Sequence, residues 1–182
     1  LPAGGRPRQD YIAGGQMQAM RCGGNPHQAG ALCRTGGGGA GVAAAEQRQG
    51  IELSYNNTVD VDAAWNLVQD LPQPAAAIIK HDNPSGVATA SSLSESYQHA
   101  YECDPISAFG GIVALNKDSD VDTARQVSAT FTEVLPAPYF NRDAFEDLSA
   151  KQKPPMIRIS TAAPTDDGQL VYHDHLVPPL AS

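Results

Sequence analysis

From residue 51 onward, short apolar runs alternate with stretches in which apolar residues return every three or four positions. Residues 75–79, Ala-Ala-Ala-Ile-Ile, are uninterrupted, as expected of a strand buried on both faces. Residues 111–115 repeat that texture, and residues 133–137 and 156–159 carry shorter versions of it. Pro136 confines the third of these to an edge position or to the strand's end, because proline brings no amide hydrogen to a ladder. Helical patterns lie between the runs. Asp60 or Asp62 caps the first, with Ala63, Ala64, Leu67 and Val68 on one face, Trp65 beside it, and Leu71-Pro72 ending it. Ser92 or Ser94 opens the second, which passes through Tyr97, Ala100 and Tyr101 and stops before Asp104-Pro105. Asp120 or Asp122 opens a third through Ala124, Val127 and Phe131, and residues 143–150 make a short fourth. This alternation predicts an α/β fold, a mainly parallel sheet covered by helices.

Residues 1–50 lack the pattern. They are rich in Gly, Ala and Gln and poor in large apolar residues, so this segment is expected to be loosely ordered. Residues 36–39 are all glycine, but no Gly-Lys-Ser/Thr ending follows, which makes them a linker rather than a phosphate loop. The expected organisation is therefore a Gly-rich segment over 1–50, an α/β unit over 51–160, and a polar tail over 161–182. The formal charge of −8 argues against nucleic acid or an anionic membrane as partner, and the apolar runs are too short to span a bilayer. Three widely spaced cysteines, Cys22, Cys33 and Cys103, indicate reduced thiols and a cytoplasmic protein, and no zinc-ligand spacing or other metal site is expected. The chain opens at Leu1 without an initiator Met or a leader pattern, and reads as a fragment of something longer.

The sharpest candidate for chemistry follows the first apolar run. In Ile78-Ile79-Lys80-His81-Asp82-Asn83-Pro84-Ser85-Gly86, a buried strand delivers Lys80 and His81 to its carboxyl end, where the Asn83-Pro84 turn is expected to break the pairing. An ammonium beside an imidazole that titrates near neutrality suits proton transfer coupled to oxyanion stabilisation. A Lys-His pair at a strand end is also compatible with a solvated edge, and the surrounding motifs decide between the two.

Four turn-rich patches punctuate the chain: Arg21-Cys22-Gly23-Gly24-Asn25-Pro26-His27-Gln28; Leu53-Ser54-Tyr55-Asn56-Asn57; the Lys80-His81 turn; and Asp104-Pro105-Ile106-Ser107-Ala108-Phe109-Gly110-Gly111. Singly, each has a plain structural use; Asn57, for one, suits the start of a helix. In this order they resemble the transformylase domain of the bifunctional purine biosynthesis family, which joins AICAR (5-aminoimidazole-4-carboxamide ribonucleotide) transformylase to IMP cyclohydrolase. Phe131-Thr132-Glu133-Val134-Leu135-Pro136-Ala137-Pro138 is similar to a further segment of that family, and the likeness runs from Arg21 to Arg158.

The resemblance implies a cytidine deaminase-like fold, a three-layer α/β/α sandwich present here in the first of two copies. It implies an enzyme that transfers a formyl group from 10-formyltetrahydrofolate to AICAR in IMP biosynthesis, in the cytoplasm and across a homodimer. In that family the proton acceptor falls on His81 and the transition-state stabiliser on Lys80. Nucleotide contacts fall on Arg21, Gly110 and Glu133, while Phe109, Asn57 and Asn83 stand in matching motifs. Cys22, Gly24 and Ser85 depart from the family's usual Tyr, Glu and Cys. The cyclohydrolase domain and the second transformylase half, which carries much of the folate site, are absent from this sequence. For the isolated chain the implied activity is therefore lost, and the alternative is a non-catalytic module that binds nucleotide or dimerises.

Overall fold

The computed structural model describes residues 16–21, 29–34, 41–42, 45–150 and 155–159. Strands β1 (Gln16–Arg21) and β2 (Ala29–Arg34) form an antiparallel pair, a hairpin that the hydrophobic pattern of the first fifty residues did not announce. The remaining strands build one six-stranded sheet. In chain order they are β3 (Glu46–Gln49), β4 (Ala75–Lys80), β5 (Asn83–Thr89), β6 (Gly111–Leu115), β7 (Thr132–Ala137) and β8 (Met156–Arg158), and in space β3-β8-β7-β6-β4-β5. The helices are α1 (Tyr55–Gln69), α2 (Leu93–Cys103), the single turn α3 (Pro105–Ala108), α4 (Val121–Ala129) and α5 (Arg142–Ala150).

Alternation along the buried strands sorts the core onto two faces. Ala77 and Ile79 of β4, with Ile112 and Ala114 of β6, pack against Val61, Ala64, Trp65 and Val68 of α1. Ala76 and Ile78, with Val113 and Leu115, meet Leu93 and Tyr97 of α2, Val127 of α4 and Leu148 of α5. Helices on both faces make the three-layer α/β/α sandwich that the sequence implied.

The sheet is mixed. Strands β6, β7 and β8 run parallel, whereas β4 is antiparallel to both its neighbours and β3 is antiparallel to β8. The expectation that the buried strand ending at Lys80 belongs to the parallel part of the sheet is therefore corrected. So is the reading of residues 83–86 as a break in pairing: the chain turns on two residues and returns as β5, with Lys80 opposite Asn83 and Ile79 opposite Pro84. β5 is an outer strand, where proline's missing amide hydrogen goes unneeded. Ser85 is an extra residue on that strand, and its hydroxyl donates to the Ile78 carbonyl at 3.2 Å.

Pro136 meets the second of its two expected settings: β7 lies between β6 and β8, and Pro136 is its penultimate residue, buried opposite Ile157. Pairing with β6 ends at Val134, while Leu135 donates to Pro155 and Ala137 accepts from Ile159 on the β8 side. In a parallel ladder alternate residues bond to opposite neighbours, so Pro136 faces the side where no partner remains.

Helix starts follow side-chain caps. Ser92 and Asp120 cap α2 and α4 as the sequence allowed, accepting from the Glu95 and Thr123 amides. The first helix begins earlier than expected. Its cap is Ser54, not Asp60 or Asp62, and a reciprocal pair of bonds links Ser54 with Asn57. Asp104 caps α3, and α4 stops at Ala129, leaving Phe131 outside it and exposed. No helix among the described residues is long and apolar enough to cross a membrane.

Candidate functional site

Because β4 and β6 are antiparallel, the carboxyl end of β4 lies beside the amino end of β6, with the amino end of β7 next in line. That is what brings Lys80 to Phe109 and Gly110, since a parallel pairing would have sent them to opposite ends of the sheet. The Lys80 Nζ donates to the Phe109 carbonyl at 2.8 Å. An ammonium carries three donors, and among the described residues this bond takes one of them. Asp104 stands close enough for the lysine's charge to help lower its pKa, although the Ser107 hydroxyl and amide bonded to the Asp104 carboxylate contribute more.

Gly110 sits at φ +74°, and its amide donates to the Phe131 carbonyl at 2.8 Å. The positive φ is the reason for glycine here. The Phe109 and Phe131 rings lie 5.3 Å apart and both remain exposed, as does Ile106 on α3.

His81 and Asp82 form the two-residue turn between β4 and β5, with φ of +53° and +62°. Left-handed conformation at both central positions is the pattern of hairpin turns that favour Asn-Gly or Gly-Gly. Side chains other than glycine pay about 1–2 kcal/mol each for it. Bonds from Asn83 and to Asp60 hold the turn. The Asn83 side-chain amide donates to the His81 carbonyl at 2.8 Å, and the Asp82 amide donates to Asp60 Oδ1 of α1 at 2.8 Å. Burial beside the hairpin pushes the Asp60 carboxyl above the usual carboxylate range, and the neighbouring Asp82 carboxylate adds to this. Amide donors from Asp82 and His81 oppose the rise. The His81 side chain itself is exposed.

Asn57 and Glu133 meet elsewhere on the same end of the sheet. Glu133 is the extra residue on β7 opposite β6, since Gly111 pairs with Thr132 and Ile112 with Val134. Together with Glu52, Leu53, Ser54 and Pro155, the two residues line a shallow cavity of about 200 Å³. Asn57 Oδ1 is occupied by the Ser54 amide at 3.1 Å and the Ser54 hydroxyl at 2.7 Å. The helix-starting use of Asn57 is thus the one the geometry displays. Asn57 and Asp60 are three apart on α1, so one face of its first turns serves both the cavity and the His81 turn.

The structure therefore brings Lys80, Phe109 and Gly110 into contact, adds His81 and Asn83 on the adjoining turn, and sets Asn57 with Glu133 in a neighbouring cavity. Arg21 ends β1 opposite Ala29, and its side chain lies outside the described residues, as do Cys22 and Gly24. The sequence pattern offers Asp60 only as a helix-cap candidate. The signal that it does more was the glycine-free turn at His81-Asp82, which needs support from outside the hairpin. Among the described residues, no group of three or more His, Cys, Asp or Glu is arranged to hold a metal ion.

The chain is 48% identical to the bifunctional purine biosynthesis protein PurH of Rhodospirillum rubrum over 159 residues, which is 87% of this chain and 30% of that protein. The PurH protein of Synechococcus elongatus is 48% identical over 155 residues, covering 84% and 30%. That of a Jannaschia species is 50% identical over 149 residues, covering 80% and 28%. The chain spans about 30% of the length of the curated relatives it matches. With residues 5–175 also matching the family described as AICARFT/IMPCHase bienzyme, the chain belongs to that family.

Proposed function

We propose that this chain supplies the formyl-transfer centre of an AICAR transformylase working in purine biosynthesis. The observation that carries the reading is the Lys80 ammonium anchored 2.8 Å from the Phe109 carbonyl, with His81 next to it on an exposed turn. The exocyclic amine of AICAR is a weak nucleophile because its lone pair is conjugated with the imidazole carboxamide. As it attacks the formyl carbon of 10-formyltetrahydrofolate, His81 takes the amine proton and the carbonyl oxygen becomes an oxyanion. The Lys80 ammonium meets that charge. Collapse of the tetrahedral intermediate breaks the bond to the folate nitrogen, and the imidazolium returns the proton to it.

Glu133 and Gly110 offer a carboxylate and a backbone turn to the nucleotide, and Arg21 a guanidinium fork for its phosphate. Asn57 and Asn83 act through the helix start and the turn they hold. Folate and AICAR are the ligands, no metal takes part, and the working enzyme is a homodimer in the cytoplasm. This chain by itself gives no useful turnover, since the rest of the folate site lies in sequence it does not contain.

The test is a chimaera in which this segment replaces the matched 159 residues of the Rhodospirillum rubrum relative. Formyl transfer to AICAR by the chimaera, with none by the isolated chain, is the expected result. A folded chimaera that binds AICAR without turnover would favour a non-catalytic, nucleotide-binding module. Turnover by the isolated chain would overturn its dependence on the missing sequence.

A further inference from the structure

We propose that Asp60 is a positioning residue for His81, acting through the backbone of the hairpin turn. The inference rests on the catalytic reading of His81. The turn carries two residues with side chains where glycine is preferred, so its shape is imposed from outside. A bond from the Asp82 amide to Asp60 Oδ1 reaches it from another element, 22 residues away in the chain, and the His81 amide donates to the same carboxylate. A bond to a carboxylate is stronger than one to a neutral acceptor. Asp60 is itself rigidly mounted, because Val61, Ala64, Trp65 and Val68 lock α1 to the sheet. The carboxylate thus ties the imidazole's backbone to the same helix whose first turn faces the Glu133 cavity.

Two measurements test this. In the 182-residue chain, amide exchange at Asp82 should speed up about tenfold or more in Asp60→Ala, the amide having lost its acceptor, and much less in Asp60→Asn, which keeps a neutral oxygen. In the chimaera, Asp60→Ala should lower kcat about tenfold or more while KM for AICAR stays within about twofold, because a loosened turn misplaces the base without touching the nucleotide. Asp60→Asn should recover most of the loss. If Asp60→Ala fails to fold, Asp60→Ser, whose hydroxyl is too short to reach the Asp82 amide, takes its place. Unchanged exchange at Asp82, or equal kcat loss in the truncating and amide variants, would overturn the proposal. His81→Ala separates the two claims. If it keeps turnover, the catalytic reading of His81 fails; if it loses turnover while Asp60→Ala keeps kcat, only the positioning role fails.

Discussion

At His81 and Asp82, local backbone preference and tertiary demand oppose each other. Asp82 tolerates a left-handed φ better than most residues, but glycine would adopt it without strain. Asp82→Gly should therefore raise stability by about 0.5–1 kcal/mol in urea unfolding, while the amide bonded to Asp60 stays in place. A loss of stability would mean that the Asp82 carboxylate holds the turn. The Asp60 carboxyl makes a second prediction through its raised pKa, caused first by burial and then by the side-chain bond to Asp82 and that residue's charge. The folded state binds this proton more tightly than the unfolded one, so the ionised carboxylate penalises folding at neutral pH. The penalty is relieved as pH falls through the raised value towards the ordinary 3.8. Wild type should accordingly gain stability relative to Asp60→Asn on acidification, and unfolding midpoints across a pH series check the sign. At this scale the sequence singled out Lys80 and His81 as candidates for chemistry, because they stand directly after an apolar run. It did not expose what holds them, since a bond between residues 60 and 82 leaves no local pattern.

Among the elements, those bounded by strong local signals were legible. Ser92 and Asp120 precede clean helical periodicity, and residues 75–79 and 111–115 are apolar enough to be strands. The start of α1 was missed because Asp60 and Asp62 resemble caps, whereas the working cap is a Ser54–Asn57 pair placed before the periodicity begins. Asn57→Ala should cost about 1 kcal/mol through loss of that capping pair, read by thermal or urea unfolding. The β4–β5 hairpin was missed for a different reason, in that Asn83-Pro84 reads as a turn, yet on an outer strand it pairs. The loop into β4 rests on Asn116. Its side chain accepts from the Ala75 amide and donates to the Leu71 and Gln73 carbonyls, each at 2.8 Å, and the residue is buried. Asn116→Ala would strand these groups and should cost about 2–3 kcal/mol in the same measurement.

For the molecule as a whole, strand direction decides where the candidate site lies. An all-parallel sheet would gather a ligand at the carboxyl ends of its strands. Here the antiparallel β4 contributes its carboxyl end while β6 and β7 contribute their amino ends, and α1 runs its first turns along that rim. Layer order was legible from the alternation of elements, but strand direction was not, because a buried apolar run reads the same both ways. Exposed Ile106, Phe109 and Phe131 crowd this rim, at 88%, 59% and 42% exposure, in a chain that spans about 30% of its relatives. The most direct measurement is steady-state formyl transfer by the chimaera with and without His81→Ala. If the turn after β4 is the chemical centre, kcat falls by about a hundredfold or more while AICAR still binds. Near-parental kcat in the His81→Ala chimaera would contradict it and leave the Lys80–His81 pair as a solvated strand end.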